Sequence, residues 1–166
     1  MFGTIRSAWA TRQVRRSCDS ETFPLLHMRR QRGVLLVAAG LILRDGNVLV
    51  GQRRKSDRHA MKWEFPGGKV EQGETPRQAL VRELREELAI EARAGHEIAR
   101  YSHSYPSGTT VQLLFYAVTE FTGTPDCRAF EQISWHALSA QTTLDFLDGD
   151  IDFVRRLASG EFNHLF

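Results

Sequence analysis

The residues in this chain best suited to chemistry are acidic and closely spaced. Glu83, Glu86 and Glu87 fall within two turns of a segment that reads as a helix, and Glu74 precedes them. Like charges at i,i+3 and i,i+4 repel on a helix surface, so the cluster calls for a counter-charge. A bound divalent cation is the simplest one. Carboxylate oxygens suit Mg²⁺ or Mn²⁺, which keep several waters and share substrate phosphates. That combination points to phosphate chemistry. For three glutamates alone, a solvated acidic helix with Arg82 and Arg85 as partial partners is the competing reading. The Gly67-Gly68 turn and Glu74 ahead of a capped helix weigh against it.

The elements that must position these groups are legible. Thr75-Pro76-Arg77-Gln78 has the form of a capping box, with Thr75 as N-cap, Pro76 at the first helical position and Gln78 reaching back. Leu80, Leu84 and Leu88 make an apolar stripe for a core. Glu83 and Glu87 lie one turn apart, with Glu86 on the same flank. That flank borders the leucine stripe, at the rim of a packed interface.

With five residues between Gly68 and Glu74, and seven between Glu74 and Arg82, the segment Gly68 to Ile90 resembles the Nudix box. The pattern is Gly, five residues, Glu, seven residues, Arg-Glu-hydrophobic-any-Glu-Glu-any-Gly-hydrophobic. Every fixed position matches except that Ala89 stands where the family has glycine. A long pattern with fixed gaps is far more specific than a short glycine motif. Trp63-Glu64-Phe65-Pro66-Gly67-Gly68-Lys69 and Ala79 to Leu88 are similar to the MutT-type branch and to its CTP pyrophosphohydrolase relatives. The match runs from Gly33 to about Leu157. At Ala89 a left-handed residue is expected, at roughly 1–2 kcal/mol, unless the helix runs on towards Ile90. Neither outcome moves the glutamates.

The resemblance implies an α/β fold, a mixed sheet sandwiched between helices. It also implies Mg²⁺-dependent hydrolysis of a nucleoside triphosphate to monophosphate and pyrophosphate. Carried over by position, the Gly68 carbonyl, Glu83, Glu86 and Glu87 hold the metal, and one of the carboxylates takes the proton from the attacking water. Glu74 and Arg82 tie the loop to the helix. Glu131 lies in the loop where MutT-type enzymes place a further glutamate, although aligning on Trp135 puts Ala129 there; an ordinary surface charge is the alternative. Substrate contacts are expected from Gly67, Lys69 and Arg54 (otherwise a solvated loop arginine), from Phe65 (otherwise core), and from Tyr105, an aromatic able to stack on a base. Asp150 falls where relatives read the base edge, or is simply the N-cap of the last helix. His59, His96, His103 and His136 are scattered and none is assigned as a ligand. The leading expectation is an enzyme of oxidised purine triphosphates such as 8-oxo-dGTP, serving nucleotide-pool sanitation. A CTP or modified-pyrimidine pyrophosphohydrolase is the nearest rival. A non-catalytic nucleotide-sensing domain is disfavoured by the intact glutamates, and nothing marks out ADP-ribose or dinucleoside polyphosphate hydrolysis.

Length fits one domain with a real core. Net charge is +2, but residues 1–32 carry seven of the 22 Lys+Arg and two of the 20 Asp+Glu. The remainder is therefore acidic, at −3. The basic character belongs to the N-terminal stretch, so no stable nucleic-acid binding is expected. That stretch reads as a transit peptide, as a disordered basic arm or, preferably, as sequence ahead of a true start at Met28. No apolar run is long enough for a membrane helix. Cys18 and Cys127 form neither a disulfide framework nor a zinc site, in keeping with a reducing cytoplasm. A monomer or homodimer is expected.

In outline, Gly33–Leu43 and Val48–Gln52 read as strands around an Arg44-Asp45-Gly46-Asn47 hairpin turn. Glu97–Tyr105 and Thr109–Phe121 read as strands joined by Pro106-Ser107-Gly108, and Ile133–Trp135 as a short strand. Asp150–Ala158 reads as a terminal helix with Ile151, Val154 and Leu157 inward. There is no repeat and no second domain.

Overall fold

The computed structural model describes residues 34–165. The basic stretch 1–32, the start at Met28, Gly33 and Cys18 lie outside the described residues. Strand β1 (Leu35–Arg44) turns at Asp45-Gly46, both with positive φ, into β2 (Asn47–Gln52). Short strands β3 (Trp63–Glu64) and β4 (Gly67–Lys69) follow, then helix α1 (Pro76–Leu88). Next come β5 (Glu91–Arg93), β6 (Glu97–Ser104), β7 (Thr110–Val118), β8 (Glu120–Thr122) and β9 (Gln132–Ala137). A 3₁₀ turn at Leu138–Thr143 leads to α2 (Ile151–Ala158).

Seven strands form one mixed sheet. β7 runs parallel to β1 along Leu35 to Ile42, with β6 antiparallel on its far side. β1 and β2 pair only at Ile42–Arg44 and Asn47–Leu49, then splay apart. Into that gap come β4, paired with Val37–Ala39 of β1, and β3, paired with Gly51–Gln52 of β2. β9 lies along the other edge of β2. The Gly67-Gly68 turn is thereby built into the sheet.

Side chains alternate between the two sheet faces, as the strand period demands. Ala39, Leu41, Val48, Val50, Val111, Leu113 and Phe115 point to a core shared with Phe153, Val154 and Leu157 of α2. Ala38, Ile42, Leu49, Leu114, Tyr116 and Val118 point to a core shared with Leu80, Leu84 and Leu88 of α1. This is the expected sandwich. Each fully buried leucine contributes about 2 kcal/mol.

Two local expectations differ from the structure, and a third is met. Phe153, stacked on Phe115 at 3.9 Å, takes the inward place given to Ile151. The strand read as Thr109–Phe121 leaves the main sheet after Val118, and β8 pairs with β5 in a separate two-stranded sheet. The capping box forms as read, and the helix ends at Ala89 with φ 56° and ψ 29°, its N–H bonded to the Arg85 carbonyl. Ala89 thus carries the left-handed strain itself. Ala89→Gly is expected to stabilise the fold by about 0.5–1 kcal/mol, since glycine relieves the strain but gains freedom when unfolded. Chemical denaturation of the two proteins checks this.

Candidate active site

Where β1 and β2 splay, α1 lies against the glycine turn. An added Cβ at Gly68 would overlap the Glu83 carboxylate, so glycine is what lets that acid reach the backbone. Gly67 has φ 144°, and an added Cβ would strike the Ala38 carbonyl. Its N–H donates to Glu87 Oε2 at 2.9 Å. Burial, and the charges of Glu64 and Glu83 after it, push the Glu87 carboxyl up to about 8 despite that hydrogen bond.

Arg82 ties the box together. Its guanidinium donates to both Glu74 oxygens at 2.8 and 3.2 Å and to the Lys69 carbonyl at 3.1 Å. It also pairs with Glu83 at 2.9 Å and, more loosely, with Glu86 at 3.6 Å. The Arg82 hydrogen bond holds the Glu74 carboxyl below its ordinary range. Glu86 sits at the rim with its side chain 60% exposed, against 18% for Glu83.

Beside these acids opens a cleft of about 470 Å³ on the α2 side of the sheet. Gly67, Gly68, Lys69, Glu64 and Arg53 line it together with Tyr105, His59, Arg58 and Leu147, and so do the apolar Leu35, Val37, Val111 and Leu113. Asp150 is 5% exposed behind this wall and makes no capping hydrogen bond, so the N-cap reading fails for its side chain. Burial, then Glu64, pushes its carboxyl well above the ordinary range. Burial also raises Tyr105, with Asp150 and Asp148 adding to it.

Other expected contacts fall elsewhere. Phe65 is core, 4% exposed and packed on Phe115, Phe146 and Phe153. A pair of buried aromatic neighbours on α2 and its approach claims it, which periodicity in a two-residue strand cannot foretell. Arg54 donates to the Arg128 carbonyl, tying two loops, and is not part of the cleft wall. Glu131 is exposed, with its N–H on the Gln52 carbonyl.

Glu64 went unassigned in the sequence. Its carboxylate receives Arg53 through both oxygens at 2.9 and 3.0 Å, yet burial raises it. It also raises both Glu87 and Asp150, so it links the two ends of the site. The only signal was an acid between two aromatics. His59 and His103 flank Tyr105 at 5.7 and 4.5 Å, a grouping made by tertiary structure alone.

Among the described residues, no three acidic, His or Cys side chains are already drawn into a closed ligand set. The donors present nevertheless suit a hard cation. They are carboxylate oxygens, one raised to about 8 by burial among its neighbours, beside a glycine whose missing Cβ leaves room for Glu83.

The NUDIX domain family model matches residues 34–157. The chain belongs to the NUDIX domain family. As a Nudix hydrolase it acts on phosphoric anhydride bonds. It is 40% identical to an 8-oxo-dGTP diphosphatase of Haemophilus influenzae over 136 residues, 80% of this chain and 97% of that one. It is 44% identical to a CTP pyrophosphohydrolase of Escherichia coli over 99 residues, 60% of this chain and 73% of the relative. A solved MutT structure, from work on Aliivibrio salmonicida and Vibrio cholerae, superposes with a TM-score of 0.66 at 28% identity, covering 76% of this Nudix chain and 98% of that one. No helix among the described residues is long and apolar enough to cross a membrane.

Proposed function

We propose that this Nudix hydrolase is a nucleoside triphosphate pyrophosphohydrolase of oxidised purines such as 8-oxo-dGTP. Its catalytic domain spans residues 33–166, with residues 1–32 as an extension outside it. The observation that carries the reading is one cleft lined by the glycine turn, Glu64 and Lys69 as well as by Tyr105, with Glu87 and Glu83 set against that turn. A nucleotide needs both kinds of surface, one for its charged phosphates and one for its aromatic base.

At the phosphate end, Gly68, Glu83, Glu86 and Glu87 are the residues to hold Mg²⁺ (or Mn²⁺), with Glu131 a more distant candidate. The ion would supply charge neutralisation for the phosphates and acidify a bound water. Lys69 stands in the cleft wall to meet phosphate oxygens. Arg82 holds Glu83 and the Lys69 carbonyl together, so the acids keep their spacing. One of the box carboxylates would take the proton from the attacking water.

At the base end, Asp150 in its protonated form, which burial favours, presents a donor beside an acceptor. That pattern complements O6 and N7–H of 8-oxoguanine. It complements N3 and the amino group of cytosine equally well. The CTP reading therefore keeps a specific observation in its favour, and the E. coli relative at 44% identity adds to it. The deciding measurement is kcat/KM with Mg²⁺ for 8-oxo-dGTP, dGTP, CTP and dCTP, because discrimination lives in that ratio. Absence of pyrophosphate release from all four would overturn the proposal.

Asp150 gives a separate expectation. Asparagine mimics the protonated acid, with one donor and one acceptor, whereas alanine leaves the base unread. Asp150→Asn is expected to retain the kcat/KM that the parent shows at low pH, and Asp150→Ala to lose about 10–100-fold. Because the parent carboxyl is raised, its activity should decline as pH rises through its titration, and the asparagine variant should lack that limb. pH–rate profiles of the three proteins test this.

A further inference from the structure

Lys62 stands immediately before β3. Its ammonium donates to Asp145 Oδ1 at 3.0 Å, to the Phe146 carbonyl at 3.2 Å and to Asp148 Oδ1 at 3.2 Å. An ammonium has three N–H groups, and each has a partner here. All three partners belong to the segment that leads into α2. Backbone bonds continue the tie. The Trp63 N–H donates to the Asp145 carbonyl at 2.8 Å, and the Leu147 N–H to the Trp63 carbonyl at 2.9 Å. The Asp150 N–H then donates to the Leu147 carbonyl at 2.9 Å.

This segment has little room to shift without consequence. An added Cβ at Gly149 would lie 3.0 Å from Leu113 Cδ1 and 3.6 Å from the Tyr105 hydroxyl. A displacement there moves Asp150 and presses on Tyr105 together. Lys62 also closes the loop after β2, its own N–H on the His59 carbonyl at 3.3 Å. In that loop His59 and Met61 hold left-handed backbones, φ 59° and 64°, and the His59 ring lies 5.7 Å from Tyr105. One residue thus ties the 145–148 segment, through its side chain, to the His59 loop, through its backbone.

We propose that Lys62 is a specificity-determining positioning residue, whose ammonium fixes the 145–148 segment and so sets where Asp150 and Tyr105 meet the base. The proposal rests on the nucleotide reading above. The acids are well exposed, 78% for Asp145 and 55% for Asp148. Exposed pairs of this kind add little to global stability, so the effect falls on local geometry.

The test uses the full chain with Lys62→Met and Lys62→Arg. In Lys62→Met, the kcat/KM ratio between the best and worst of 8-oxo-dGTP, dGTP, CTP and dCTP is expected to shrink about fivefold. The loss should enter through KM with kcat little changed, and Lys62→Arg should restore the ratio. Amide exchange at Leu147 and Asp150 should quicken by a similar factor while Leu80 and Leu84 keep their protection. An unchanged ratio, or a fall in kcat at constant KM, would overturn the proposal. Asp145→Asn with Asp148→Asn removes the same tie from the exposed side and serves if Lys62→Met does not fold. Should the parent protein cleave none of the four, the nucleotide reading itself falls. The exchange data tell that outcome apart, since they report the tie without any substrate.

Discussion

Glu87→Gln is expected to lower kcat by about 10²–10⁴-fold and, in metal-free protein, to raise thermal stability at pH 8 but not at pH 5. The loss of rate follows from removing an acid held against the glycine turn by the Gly67 N–H. The gain in stability follows from linkage. Glu87 is raised from an ordinary 4.5 to about 8 in the fold, chiefly by burial. A group raised by folding contributes stability that is full below its unfolded value and is lost as pH climbs through its folded one. The metal-free parent therefore weakens between about pH 4.5 and 8, by roughly 1.4 kcal/mol per unit at most. Glutamine carries no charge and keeps an oxygen for the Gly67 N–H, so the variant escapes this loss. Thermal melts of both proteins in EDTA across pH 5 to 8 check it. A gap that stays constant with pH would show that Glu87 is not raised.

The two glycines of the turn should separate fold from chemistry when each becomes alanine. At Gly67 the new Cβ meets backbone, the Ala38 carbonyl of β1, and φ 144° is left-handed territory. Backbone cannot step aside inside a sheet, so Gly67→Ala is expected to cost about 2–5 kcal/mol. At Gly68 the new Cβ meets only the Glu83 carboxylate, which can swing away. Gly68→Ala should keep most of its stability yet lose about 10²-fold in kcat, the usual result of shifting a reacting group by an ångström. Urea titration and steady-state rates measured on both variants test the contrast. Equal stability losses in the two variants would contradict it.

The box helix was legible in the sequence because its signals are local. A capping box, a leucine stripe and glutamates one turn apart all lie within a single helix, where spacing alone fixes who faces whom. The β1–β2 hairpin was legible for the same reason, through Asp45-Gly46. The grouping around Tyr105 and Asp150, each named singly through the resemblance, was not, because no spacing brings residues 53–62, 103–105 and 145–150 together. Only the splay of β1 from β2, which admits β3, sets Trp63 beside Phe146 and so carries Asp150 towards Tyr105. Glu64 was invisible because a charged residue between aromatics looks like ordinary strand alternation. Phe65 was ambiguous in sequence, and its three aromatic neighbours place it in the core. Ala89 shows the fold absorbing a departure from its family pattern through strain rather than rearrangement.

The alternation of side chains along β1 has an evolutionary reach. Even-numbered positions such as Ala38 and Ile42 support the helix that bears the glutamates, while odd-numbered ones such as Ala39 and Leu41 support the layer beneath the cleft. Selection can rework one layer without disturbing the other, because a strand presents its two sets of side chains to separate neighbourhoods. Substitutions in the layer under the cleft are therefore free to accumulate while the helix that bears the glutamates keeps its support.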